Sequence, residues 1–497
     1  MNKYHNPILF SDYSDPDAIR VGDDYYMTAS SFTYFPGLPI LHSKDLINWT
    51  LINYAIKKLP FAKYDLPCHG EGVWAPSIRY HKGRYYIYFA TPDEGIFMVS
   101  TEDPKKEWDE AVLVKESCGW IDPCPFWDDD GNAYLIRGVA KSRIGYKSKL
   151  FLHKMSADGK RLLNEGVLVF DGRINHPTIE GPKMYKKDGY YYIFAPAGGV
   201  QQGWQMEARS KNIYGPYEHK VVLHQGTTDI NGPHQGALVD TVKGEEYFLH
   251  FRDMEGYGRV TYLEPAKWKD GWCEIGVDID NDGIGEPVAQ YPSPFNTEQK
   301  KVNVSEDFKL NRLPLRWQWQ AHENTDNFTL TEKGLRLFAL YNEKENISYF
   351  PNLVTALMTQ KEFVSKIKIS LSLQDGDSFG FLVSGGSYAG LKISKDSTCL
   401  YGSLISYELK KDYSGKEKTE AKVPIDKTEV YIKLKLTYPT VISTYISYDD
   451  KNYIQIGESA EFKVSRKSWV GGRLGMFCTS SKKNSCGYTD ISFIETE

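Results

Sequence analysis

The sequence predicts an all-β chain: a five-bladed β-propeller followed by a jelly-roll or concanavalin-like β-sandwich. Two observations carry this reading. A unit consisting of a polar opening, a short strand, a tight turn and an aromatic-rich strand occurs five times, at intervals of roughly fifty residues. After a linker rich in Pro and Gly that period stops, and the alternation expected of half-buried antiparallel strands runs to the end of the chain.

The first unit runs from Ser14-Asp15-Pro16 through the turn at Gly22-Asp23 to Asp24-Tyr25-Tyr26-Met27. Trp74-Ala75-Pro76 opens the second and turns at Lys82-Gly83, and Ile121-Asp122-Pro123 opens the third and turns at Asp130-Gly131. Glu180-Gly181-Pro182 and His234-Gln235-Gly236 open the fourth and fifth, with turns at Asp188-Gly189 and Lys243-Gly244. Each hairpin is followed by two more short strands, such as Gly95–Ser100 and Ala111–Val114 in the second unit. Four-stranded units repeated radially make a propeller. The period places this domain at 1–295 and the sandwich at 303–497, where runs such as Lys366–Leu373 and Val430–Leu436 alternate cleanly.

Size and composition narrow the function classes. At 497 residues the chain exceeds what one hydrophobic core usually serves. A net charge of −5 gives no reason to expect nucleic acid or an anionic membrane as a partner, and no apolar run approaches the ~20 residues of a membrane span. Seven Cys without paired metal spacing read as isolated thiols. No apolar leader precedes the first strand, so the expectation is a cytoplasmic protein, or a secreted or periplasmic one if a leader was removed.

In a propeller the innermost strands line one axis, so residues about fifty positions apart converge at one mouth. Three of the five opening motifs bring a carboxylate there: Asp15, Asp122 and Glu180. Like charges at one mouth push pKa values apart. An acid that keeps its proton beside a base that has lost one is what glycosidic-bond hydrolysis needs.

With Ser30–Gly37 and His42–Leu46 added to the five opening motifs, the sequence closely resembles glycoside hydrolase family 43. The type it resembles is the β-xylosidase/α-L-arabinofuranosidase with a C-terminal sandwich. The resemblance implies that Asp15 is the general base, Glu180 the general acid and Asp122 the residue that tunes the acid. It implies inversion, with the two working carboxyls roughly 6.5–9.5 Å apart. Asp17 departs from the pattern by adding a second carboxylate two residues from Asp15. The resemblance also makes Arg259 an active-site residue that pairs with the acid-tuning carboxylate or holds a sugar hydroxyl. Phe32, Tyr34, Phe35, Trp74 and Trp127 are candidates for aromatic walls against the sugar.

His234 would face the axis near an ion, and Asp307 and Asp490 would supply a structural Ca²⁺ site in the sandwich. No cofactor is needed for the chemistry. Asp278-Ile279-Asp280-Asn281-Asp282-Gly283 starts like a calcium loop, but Ala289 takes its twelfth position and it reads as a solvated turn. The expected substrate is a xylo- or arabino-oligosaccharide, with the preferred pentose and the oligomeric state left open. An endo-arabinanase and a carbohydrate-binding protein without turnover are the alternatives.

Overall fold

The protein is described from a computed structural model, which covers residues 2–410, 412, 415–465 and 467–497. Five antiparallel four-stranded sheets follow one another, each made of consecutive strands. Their innermost strands are Asp17–Val21, Trp74–His81, Trp120–Trp127, Lys183–Lys187 and His234–Asp240. Two eight-stranded sheets form the sandwich, beginning at Gln318–Trp319. Among the described residues no helix is long and apolar enough to cross a membrane.

The blades hold together because strand side chains alternate. In Arg84–Thr91, Ile87 and Phe89 pack toward the first blade, against Tyr26, Leu38 and Ile40. Tyr88 and Ala90 point the other way, toward Ala133 and Leu135 of the third blade. The ring closes by the same device: Met27 and Leu41 of the first blade share a core with Leu249 and Leu263 of the fifth. Each large side chain buried this way stabilises the ring by about 1.5–3 kcal/mol.

Polar side chains fill the axis. Arg79 of the second blade donates to Asp17 Oδ2 of the first (2.7 Å) and Cys124 Sγ of the third (3.0 Å), and lies over the Tyr185 ring of the fourth. Tyr185 Oη accepts from Leu238 N of the fifth at 3.0 Å. One layer thus ties all five blades together. It also accounts for Asp17, which is fully buried and committed to Arg79. Asp17 therefore does not compete with Asp15.

The sandwich is docked by backbone hydrogen bonds and short side chains. Phe35 and Trp319 exchange backbone bonds of 2.9 and 2.7 Å, and Thr33 Oγ1 donates to Gln320 O at 3.0 Å. Gly471 N donates to Asp12 Oδ2 at 2.9 Å, and Gly472 N to Gly256 O at 2.7 Å. A Cβ on Gly471 would stand 2.2 Å from Gly258 N, so only glycine lets this loop reach the mouth.

Candidate active site

Each innermost strand is entered through a left-handed residue. These are Asp15 (φ 55°), Ala75 (32°), Asp122 (58°), Gly181 (56°) and Gln235 (36°). A left-handed conformation costs a non-glycine residue about 1–2 kcal/mol and persists where the surroundings over-determine it. The register breaks at the same points, between Trp74 and Ser77, Ile121 and Cys124, and His234 and Gly236. The equivalent positions therefore correct the expected alignment by one residue in three blades. Asp15 and Asp122 are true counterparts, whereas Trp74, Glu180 and His234 each come one residue before the bend. The bend turns that preceding side chain to the mouth as well.

Asp15 is the most thoroughly held carboxylate. Its Oδ2 accepts from Ser14 Oγ (3.0 Å) and Ser30 Oγ (2.6 Å), and its Oδ1 from Arg259 Nη1 (3.1 Å). Three donors suit an anion. Arg259 is fixed in turn by its own N–H on Asp12 Oδ1 (2.8 Å) and by Nη1 on Ser14 Oγ (2.6 Å). The expectation that Arg259 pairs with the acid-tuning carboxylate is corrected: it pairs with Asp15, because both sit at the junction of the first and fifth blades.

Asp122 is buried, and its Oδ2 accepts from Gly181 N at 2.7 Å. Burial pushes its pKa up to about 7, and the charge of Asp15 adds to this. The Gly181 N–H, Lys183 and the Gln235 side chain oppose the rise. Glu180 is pushed further, to about 8, by burial and then by the charges of Asp122 and Asp15. A third of its side chain (34%) still opens to the mouth. His234 Nε2 lies 3.1 Å from Glu180 Oε1, and its ring stacks on Phe251 at 5.4 Å. Burial lowers the His234 pKa to about 3, so the ring meets Glu180 as a neutral imidazole.

Glu180, whose proton is favoured by burial and by the Asp122 and Asp15 charges, opens to the mouth that also holds a donor-clasped Asp15, and the family model for glycosyl hydrolases family 43 matches residues 4–273. The chain belongs to glycosyl hydrolase family 43. A second match, to the β-xylosidase C-terminal concanavalin A-like domain, spans residues 305–497. A putative β-xylosidase from Xylanibacter ruminicola is 38% identical over 96% of this chain and 86% of its own length. A β-xylosidase from Formosa agariphila is 32% identical over 99% and 89%. The family-43 protein BlXynB from Bacillus licheniformis superposes with a TM-score of 0.86 at 26% identity, covering 100% of this chain and 99% of that one. The chain spans 64% of a bifunctional GH43-CE protein from Bacteroides eggerthii, with a TM-score of 0.86 and 25% identity.

The wall of this glycoside hydrolase's site differs from the expected one. Phe32 and Trp74 meet edge to face at 6.2 Å, and Trp74 meets Trp469 of the sandwich at 6.2 Å. Trp469 is 39% exposed and faces Arg259 at 6.0 Å, and Arg143 lies over Trp74 at 5.0 Å. Tyr34, Phe35 and Trp127 are not in the wall. Tyr34 is buried under Arg473, and Phe35 packs on Tyr64 and His322, so both are docking residues for the sandwich. Trp127 stacks on His81 at 4.7 Å. It follows Asp122 by five strand residues, about 17 Å, and so lies at the opposite end of the propeller.

Trp469 had no signature in the sequence, because only the docked sandwich brings it to the mouth. Replacing it by Ala removes an exposed aromatic platform. We expect kcat/KM on a pentoside to fall about tenfold, the scale of one lost aromatic contact, with Tm unchanged by calorimetry.

The expected Ca²⁺ site of the sandwich does not assemble. Asp490 is buried against Arg336, which donates from Nε (2.7 Å) and Nη2 (2.9 Å), and exposed Asp307 pairs with Lys309 at 3.0 Å. Each carboxylate is neutralised by its own cation and the two do not converge, so they do not fit a Ca²⁺ site. Among the described residues, the one cluster of three possible metal ligands is Asp278, Asp280 and Asp282, not a group around His234. In that cluster turn amides already occupy Asp278 (Gly283 N, 3.1 Å) and Asp282 (Ile284 N, 2.8 Å).

Proposed function

We propose that the protein is an inverting exo-glycosidase that releases terminal β-D-xylosyl and α-L-arabinofuranosyl residues from plant oligosaccharides. One observation carries the reading: burial and two neighbouring carboxylates favour the protonated form of Glu180 at the same mouth where three donors clasp the Asp15 carboxyl. Asp15 takes a proton from water as its oxygen attacks the anomeric carbon. Glu180 gives its proton to the departing glycosidic oxygen as that C–O bond breaks. Asp122 stays beside Glu180 and raises its proton affinity by like charge. The aromatic faces of Trp74 and Trp469, backed by buried Phe32, offer a platform for one sugar ring. A mouth walled by the sandwich favours exo over endo cleavage. Relatives named β-xylosidase and a non-reducing-end α-L-arabinofuranosidase from Bacteroides ovatus, 30% identical over 67% of this chain, support the pentose class.

Paired kinetics on aryl β-D-xyloside and aryl α-L-arabinofuranoside test the reading, and turnover of neither would end it. The pH profile adds a second check. The basic limb of kcat/KM reports loss of the Glu180 proton in the free enzyme and should fall near pH 8. In Asp122→Asn the like charge is gone, so Glu180 releases its proton more readily. That limb should move to lower pH, and an unmoved limb would contradict the coupling.

A further inference from the structure

The propeller carries a second buried cation at its axis, one layer nearer the mouth than Arg79. Lys183 begins the innermost strand of the fourth blade, yet its Nζ donates to Ser77 Oγ (2.8 Å) and Pro76 O (3.2 Å) of the second blade. Those blades are not neighbours in a ring of five, so the side chain crosses the axis. Lys183 is 2% exposed, and among the described residues no carboxylate lies within ion-pair distance of it. The contrast with Arg79, paired to Asp17 one layer below, is sharp. A buried ammonium on two neutral oxygens is costly, and an apolar side chain of the same length would fill the axis more cheaply.

The charge it faces is catalytic. Segment 180–183 supplies Glu180, the Gly181 N–H that holds Asp122 Oδ2, and then Lys183. Around Asp122 stand Asp15 of the first blade, Glu180, Gly181 and Lys183 of the fourth, and Gln235 of the fifth. Of these, Lys183 is the cation acting on Asp122, while Arg259 and Lys147 act on Glu180. We propose that Lys183 is a positioning residue of the hydrolysis, an axial cation whose charge favours the ionised form of Asp122 beside Glu180. This rests on the role given to Asp122 above.

The test is Lys183→Met and Lys183→Gln in the full-length enzyme. The first keeps length without polarity, and the second keeps polarity without charge. Loss of a nearby cation favours the neutral carboxyl, so the acidic limb of kcat/KM should move up by about one pH unit. The kcat at neutral pH should fall about tenfold in both variants, with Tm of Lys183→Met unchanged or raised. Should Lys183→Met fail to fold, the pH profile of Lys183→Gln decides. Wild-type activity with folded variants whose kcat stays within twofold and whose acidic limb does not move would overturn the inference and leave the functional reading intact. A wild type that cleaves no pentoside would instead overturn the functional reading.

Discussion

Replacing Glu180 by Gln should lower kcat/KM on a xylo-oligosaccharide by about 10²–10⁴-fold. The loss should be far smaller on an aryl glycoside whose leaving group departs without a proton. That dependence on the leaving group marks a general acid, whereas a residue that only binds the sugar would weaken both substrates equally. The same variant should be more stable than wild type at neutral pH. Glu180 has its folded pKa raised to about 8 from the ordinary 4.5. The native state therefore holds a proton that the unfolded chain releases, and stability present below pH 4.5 is lost as pH rises through about 8. Gln has no such proton to lose. A higher Tm at pH 7 with reduced turnover would separate loss of chemistry from loss of fold, and a lower Tm would contradict the assignment.

Asp15→Asn is the second large effect, with a different signature. Water must be activated whatever the leaving group, so kcat should fall by a similar ~10²–10⁴-fold on the oligosaccharide and the aryl glycoside alike. Stability should move the opposite way from Glu180→Gln. Arg259 is 11% exposed at its side chain and loses its charged partner, and an uncompensated buried charge is costly. A lower Tm and an equal loss on both substrates are expected. An aryl glycoside that Asp15→Asn still cleaves well would remove the base role from Asp15.

The propeller and the three carboxylates could be read from the chain because their signals are local. A turn dipeptide, an aromatic strand and a Pro-containing entry recur in every blade, and the ring then fixes where they meet. What the sequence concealed depended on geometry outside the motif. The one-residue offset between Asp122 and Glu180 follows the left-handed residue of each blade, which is Asp122 itself in the third and Gly181 in the fourth. Asp17 and Asp15 look alike in sequence, but Arg79, from another blade, claims the first for the axis. Phe35 and Trp127 are as aromatic as Trp74. One serves the sandwich and the other lies at the far end of its strand, and only the packed chain separates them. Trp469 arrives from almost the other end of the sequence on a loop whose close approach depends on Gly471.

The central claim is that Asp15 activates water on one face of the sugar while Glu180 protonates the leaving oxygen on the other. Proton NMR of the first-formed product from a β-D-xyloside, recorded before mutarotation, tests it most directly. α-Xylose is expected first, with the β-anomer growing only as mutarotation proceeds. β-Xylose appearing first would mean retention, and with it a covalent role for a carboxylate, which would contradict the base role of Asp15.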